Sequence, residues 1–434
     1  MTGVMGALFA ALFGMLAAGV WVGIALIATS MVLLWGFRNL PVDRLLAQYT
    51  FNILTTSELV ALPLFILMGE FLFRTRLSRS LFNGLAPWAA LLPGRLLHVN
   101  VVGCTIFAAI SGSSAATTQV VGRIALGELK ARGYDRRIAI GSLAGAGTLG
   151  FLIPPSSVMI IYGVLADESV LRLFTAGFLP GILLAACFMA WVMLHSKLQP
   201  ELLPPQSTEE RGMSWGQRFA ALRELAPTLF LILCVLGSMY AGIATPSEAA
   251  AVGVLGAVLV SGFQGELNWP TLRAIGIGAA QTCGMIGLIV LGASILGNVA
   301  AILGVPRQVA EIVTGWGLSP LMLIVALTLL YLILGCFLDG FSMIVMTLPV
   351  VLPLVTAAGF DKLWFGVYLV VAVEMAQITP PVGFNLFVIQ GLTGESLSTI
   401  ARVTLPYLLI MVAFVFLLVL VPGIVSIIPS LLLG

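Results

Sequence analysis

The sequence predicts an all-α polytopic membrane protein with inverted-topology repeats, each holding a re-entrant helical hairpin and a broken helix. Composition is the first observation. Of 434 residues, 60% are hydrophobic and 9% charged, with a mean hydropathy of +1.12; a soluble domain carries about 25% charged residues. The second is a pair of apolar segments broken by Pro-Pro, GTLGFLIPPSSVMIIYG at 147–163 and QITPPVGFNLFVIQG at 377–391. Proline lacks an N–H and clashes with the preceding turn, and inside a bilayer no water takes up the freed carbonyls. The third is spacing. Ser111-Gly112 lies 43 residues before Pro154, and Asp339-Gly340 lies 41 before Pro380.

A span needs about 20 apolar residues, so the length allows roughly a dozen crossings. The longest polar run, 197–224, is too short to fold alone. The net charge of +2 says nothing about nucleic acid, no basic patch is interleaved with aromatics, and no nucleic-acid partner is expected. Cys104, Cys187, Cys234, Cys283 and Cys336 lack metal-ligand spacing and read as buried packing residues. His98 and His195 are too few for a metal site or proton relay, and no Ser/His/Asp constellation suggests an enzyme.

Residues 5–35 form one apolar run, expected as one tilted helix or two short ones, with 7 onward read as a retained membrane segment rather than a cleaved signal. The mixed stretch 45–56 is expected to lie along the interface. Residues 59–73 then enter the membrane, closed by Arg74, Arg76 and Arg79. The hairpin 96–128 has arms meeting at Ser111-Gly112-Ser113-Ser114. Each arm is about 20 Å of helix, too short to span comfortably. Arg95 precedes it, and Arg123, Lys130, Arg132, Arg136 and Arg137 follow the tip. Positive charge marks the cytoplasmic side, so both hairpin ends face inside. The broken helix 138–165 crosses outward, 173–194 returns, and 197–223 is an inner loop. Residues 227–241 cross out, 249–263 come back, 264–273 is an inner loop, and 274–303 cross out. The hairpin 319–357 meets at 335–340 with both ends outside. The broken helix 363–391 crosses inward, and 400–420 crosses out. Domain limits follow: 1–80 N-terminal scaffold, 81–196 first repeat, 197–273 central loop and scaffold, 274–434 second repeat.

The halves keep one register. Each Pro-Pro is followed by Glu-Ser (168–169, 395–396) and Leu-Pro (179–180, 405–406), with 26 residues from first proline to last in both. The charge assignment orients the two Pro-Pro segments oppositely. Repeats of opposite orientation, each with a hairpin and a broken helix, are the architecture of a secondary transporter.

Unwound carbonyls and hydroxyls suit a hard cation such as Na⁺. Helix N-termini aimed at the same place suit carboxylates. One half offers Ser111, Gly112, Ser113 and Ser114 against 150–156; the other offers 335–342 against 379–385. Small-residue helix packing is the alternative reading of the serines. Asp339 is either a cation ligand or a cap on the second hairpin arm. Glu374 and Glu70 read as buried pairing or inter-helix hydrogen bonding. Asn385 and Gln390 are placed near the site, and Thr117 and Gln119 on the inner arm of the first hairpin.

The run SGSSAATTQVVGRIALGELKARGYDRRIAIGSLAGAGTLGFLIPPSSVMIIYG closely resembles the large membrane subunit of tripartite ATP-independent periplasmic (TRAP) transporters. GCFLDGFSMIVMTLPVVLPL, QITPPVGFNLFVIQG and LVALPLFILMGEFLFRTRLS are the matching motifs elsewhere. The resemblance implies a multi-pass subunit of a bacterial or archaeal cytoplasmic (inner) membrane, with no resident cofactor. A transport domain moves as an elevator against a lipid-embedded scaffold, beside a small membrane subunit. A periplasmic binding protein delivers an organic acid, and Na⁺ drives its uptake. The family's sodium sites map to Ser111, Ser114, Gly150, Ile153 and Pro155, and to Gly335, Asp339, Thr379 and Gly383. The substrate cavity is expected among Gly112, Ser113, Thr117, Ser156, Gly340, Pro381 and Asn385, and binding-protein contacts at 167–169, 245–248 and the outer ends of the second hairpin. A self-sufficient Na⁺/dicarboxylate symporter and a channel are the alternatives.

Overall fold

Glycines and prolines decide where this apolar chain turns. A computed structural model describes residues 2–37, 41–75, 77–205, 213–305, 308, 311, 315, 319–381 and 383–433. Arg38, Arg76, Arg211 and Arg307 lie outside the described residues, as does the Arg79 side chain. Twenty α-helices and two short 3-10 turns carry the described fold. Among the described residues, five helices are long and apolar enough to cross a membrane, or up to seven when each of two bent pairs counts as one span.

The apolar run at the start is two helices, α1 (Thr2–Ala17) and α2 (Val22–Phe37), parted at Gly19, whose φ of +77° favours glycine. Next come α3 (Val42–Leu54) and α4 (Ser57–Arg74), bent by 58° at their junction. Phe51 and Leu54 of α3 are 69% and 62% exposed, as suits a helix lying along the interface.

The first half continues with α5 (Leu77–Ala89), α6 (Leu97–Ser111), α7 (Ser114–Ala131) and α8 (Arg136–Gly147). A 3-10 turn (Thr148–Gly150) leads to α9 (Ser157–Ala166) and α10 (Val170–Leu198). Four helices link the halves: α11 (Trp215–Leu222), α12 (Ala226–Tyr240), α13 (Pro246–Phe263) and α14 (Trp269–Ile302). The second half comprises α15 (Pro320–Leu334), α16 (Gly340–Ala357), α17 (Lys362–Gln377), α18 (Phe384–Thr393), α19 (Leu397–Leu420) and α20 (Gly423–Leu432).

Both halves run helix, tip, helix, broken helix, long helix. In the first, α7 folds back on α6: Ser111 Oγ meets Thr117 Oγ1 at 2.9 Å, and a Cβ on Gly103 would sit 3.7 Å from Val121. In the second, Tyr331 Oη meets Thr347 Oγ1 at 2.8 Å across α15 and α16. The long helices α10 and α19 each enclose a proline, Pro180 and Pro406.

Four stretches differ from expectation. The inner loop 197–223 contains α11, and α5 fills the unassigned link before the first hairpin. These two amphipathic helices clasp each other. Trp88 Nε1 donates to Arg218 O at 3.1 Å, Arg218 Nη1 donates to Pro87 O at 2.6 Å, and Trp88 packs edge-on to Phe219 at 5.2 Å. The expected loop 264–273 ends early because Asn268 caps α14 by accepting from Thr271 N at 2.9 Å. Helix α20 follows α19 where no element was assigned. Among the cysteines Cys104 alone is fully buried; the other four are half-buried and all are free.

The basic ends assigned inside do gather. Arg95 Nη1 donates to Pro204 O at 2.6 Å, Asp135 N to Leu202 O at 3.2 Å, and Arg136 pairs with Glu395 at 3.0 Å. Assigned outer ends meet likewise: Lys362 Nζ donates to Ala166 O and Ser247 Oγ to Ser57 O, both at 3.0 Å.

Candidate functional site

The first hairpin turns in three residues. Gly112 ends α6 with φ +56°, and the Ser113 side chain caps α7 by accepting from Ala116 N. The tip is pressed into the break that follows α8. A Cβ on Gly150 would lie 2.4 Å from Ser114 Cα, and one on Gly112 would lie 2.8 Å from Pro155 O. Ser157 Oγ donates to Gly112 O at 2.6 Å, tying the start of α9 to the tip. Ile153 packs on α10, where a Cβ on Gly181 would meet its Cγ1 at 2.8 Å. Ser111, Ser114, Gly150 and Pro155 are therefore collected around one junction, while the Ile153 side chain packs on α10.

Ser114 is where the halves join. Its Oγ lies 3.0 Å from Gly147 O and 2.8 Å from Glu374 Oε2, and accepts from Asn385 Nδ2 at 2.6 Å. One hydroxyl proton serves Gly147 or Glu374 at a time. Glu374 Oε1 accepts from Phe151 N at 2.8 Å. Glu374, fully buried on α17, thus holds the hairpin and the helix break of the opposite half. The inter-helix reading of Glu374 holds. Glu70 instead pairs within its own helix, to Arg74 at 2.8 Å.

The second tip is built by a different device. Asp339 caps α16, accepting from Phe341 N at 3.0 Å and Ser342 N at 3.4 Å, with Ser342 Oγ also donating to it. A Cβ on Gly335 would lie 2.4 Å from Ala376 Cβ, so this tip packs on α17 just before its break. Gly383 N donates to Thr379 O at 3.0 Å, and Thr379 Oγ1 to Met375 O at 2.7 Å. A Cβ on Gly340 would meet Phe151 at 2.7 Å, and Phe151 packs edge-on to Phe341 at 5.2 Å. The second tip thus touches the first break.

Among the expected cavity residues, Thr117, Ser156, Gly340 and Asn385 are buried here, and Ser156 caps α9 by accepting from Met159 N. Gly112 is buried against α9, Ser113 is half-buried and Pro381 is exposed. Gln119 is exposed and Gln390 half-buried. Three buried polar atoms around the junction have no hydrogen-bond partner among the described residues: Thr118 Oγ1, Gln377 Nε2 and Asn385 Oδ1. Spacing did not reveal Ser157 or Phe151 N; adjacency to the Ser156 cap was the signal for Ser157.

The break at 151–156 and the tip bring main-chain carbonyls and serine hydroxyls close together, and neither segment carries a Lys or Arg. That donor set matches a hard monovalent cation. The N-termini of α7, α9, α16 and α18, with partial positive charge, adjoin it and suit an anion.

A family model described as the DctM component of tripartite ATP-independent periplasmic transporters matches residues 9–424. The C4-dicarboxylate TRAP transporter large permease protein DctM of Rhodobacter capsulatus is 31% identical over 98% of this chain and 98% of its own length. The isethionate TRAP transporter permease protein DctMQ of Oleidesulfovibrio alaskensis is 32% identical over 95% of this chain, which spans 64% of that relative. The sialic acid permease protein SiaT of Haemophilus influenzae is 30% identical over 92% of this chain and 63% of its own length. Among solved structures, the YdaH transporter of Alcanivorax borkumensis aligns with a TM-score of 0.61 at 14% identity, covering 87% of each chain. That likeness is one of fold. A multi-pass helical chain matched from residue 9 to 424 belongs to the DctM family, the large permease component of TRAP transporters.

Proposed function

We propose that this chain is the large permease subunit of a Na⁺-coupled transporter. It imports an organic acid across the cytoplasmic membrane, handed over by a periplasmic binding protein, with a small membrane subunit beside it. The observation that carries the reading is the junction at Ser114, where a hairpin tip, a helix break and two side chains of the other half meet. Cation ligands placed there bind only when the tip and the break are apposed, so ion binding and tip closure are one event. Site one uses Ser111, Ser114 and carbonyls of Gly150, Ile153 and Pro155; site two uses Gly335, Asp339, Thr379 and Gly383. The acid lies between the tips, near Ser113 and Pro381, its charge met by helix N-termini. The two halves have opposite orientation and move together past the scaffold as an elevator.

Relatives named for C4-dicarboxylate, sialic acid and 2,3-diketo-L-gulonate support an organic anion as cargo. The name DctMQ supports a small-subunit partner. Reconstitution tests this. Uptake of a carboxylate should require both partners and a Na⁺ gradient. Uptake by this chain alone would mark a self-sufficient symporter, and flux indifferent to the gradient would mark a channel.

A further inference from the structure

A wide cavity lies away from the tips, on the inner flank of the first hairpin. It holds about 990 Å³ between α7, the end of α4, the middle of α5 and the start of α14. Its α7 wall is Val120, Arg123, Ile124, Gly127 and Glu128, a spacing that keeps one helix face. The same face continues up α7 through Ala116 to Ser113, which is half-buried at the tip. Arg123 stands nine residues beyond Ser114, about 13 Å along the helix. One face of α7 therefore runs from the tip to this space.

The charges here are mostly spent on each other. Arg74 pairs with Glu70 at 2.8 Å and Glu128 with Arg132 at 3.7 Å, while Glu266 has its own contact. Arg123 has no acidic partner among the described residues, and its side chain is exposed. It also lines the adjoining cavity of about 320 Å³ with Lys130 and Arg136. Arg136 is committed to Glu395 at 3.0 Å, and Lys130 has no acidic partner among the described residues. An unpaired guanidinium, planar and able to bind a carboxylate through two parallel N–H groups, is thus set on the wall below the tip.

We infer that Arg123 is a release-side station for the transported acid: its guanidinium takes the carboxylate as it leaves the tip and passes it to the inner aqueous space. This rests on the permease reading above. No bond is made or broken; the anion exchanges helix N-termini for a guanidinium and then for water. Arg123 touches cargo on the inner side only, so it sets affinity from that side and not from the other.

The test uses the complete transporter, with both partners, in proteoliposomes loaded with increasing internal acid. The probe is whichever of radiolabelled succinate or N-acetylneuraminate the unmodified protein takes up. Internal acid slows uptake by rebinding, and its half-saturating concentration should rise at least fivefold in Arg123→Ala and less in Arg123→Lys. The external half-saturation, the Na⁺ half-saturation and the melting temperature should stay within twofold or a few degrees of the unmodified protein. Lys197→Ala, removing an exposed cation that lines neither cavity, should change none of these. An unchanged internal half-saturation in Arg123→Ala overturns the inference. So does an equal loss in Arg123→Lys accompanied by a fall in melting temperature, which marks a structural role. Failure of the unmodified protein to take up either acid strikes the permease reading instead.

Discussion

At the scale of the residue, the arrangement turns on what Ser114 can satisfy. Its hydroxyl is shared among Gly147, Glu374 and Asn385, so Ser114→Ala leaves buried groups without partners. Each such loss costs about 1–3 kcal/mol, so this variant should melt lower in detergent. If the hydroxyl is also an ion ligand, its Na⁺ half-saturation should rise about tenfold, beyond what instability explains. Glu374 separates shape from charge. Glu374→Gln keeps an acceptor for Phe151 N and gains a donor toward Ser114, so its melting temperature should stay close to that of the unmodified protein. Glu374→Ala strands the Phe151 N–H and opens a cavity, with an expected loss of about 2–4 kcal/mol read by thermal unfolding. Gly150 tests close approach. Its added Cβ would meet Ser114 backbone at 2.4 Å, which cannot move aside, so Gly150→Ala should abolish transport. Gly276→Ala on α14 meets nothing within 4 Å and should be silent.

At the scale of the element, Asp339 is the informative case, because one carboxylate serves as cap and as proposed ligand. Asparagine caps nearly as well as aspartate. Asp339→Asn should therefore keep α16 and its thermal stability while weakening Na⁺ activation; an unchanged Na⁺ titration leaves Asp339 as a cap alone. Elements of this kind were legible in the sequence because their signals are local. Ser-Gly-Ser interrupts the first apolar run, Asp339-Gly340 the second, and Pro-Pro breaks each following segment, so the tips at 111–114 and 335–340 and both breaks fall where expected. The clasp of α5 with α11 was not legible. Both are short amphipathic helices in basic stretches that read equally as polar loop, and what orders them is contact between Trp88 and Arg218, 130 positions apart. The reach of Glu374 to Ser114, across 260 positions, is equally invisible to spacing. Its sign in the sequence was only an acid where none is comfortable. Arg123 was legible as a charge marking the inner side, and not as the wall of a cavity, which only the placement of α4, α5 and α14 creates.

At the scale of the whole molecule, each half completes the other. The second half lends Glu374 and Asn385 to the first tip, while Phe151 of the first break packs against Gly340 and Phe341 of the second. Sites that share struts in this way are expected to fill cooperatively, since a change bound to one tip biases the packing of the other. Na⁺ activation of uptake should then be sigmoidal in the unmodified protein and closer to hyperbolic in Asp339→Asn. On the reading proposed above the chain is the moving, ion-binding core; its family works with a small permease and a periplasmic binding protein. The central claim is that the oxygens at the two tips couple transport to Na⁺. The most direct measurement is uptake by the reconstituted three-part transporter when external Na⁺ is replaced by K⁺ with no proton gradient imposed. The account predicts that concentrative uptake disappears; uptake that continues undiminished in K⁺ would contradict it.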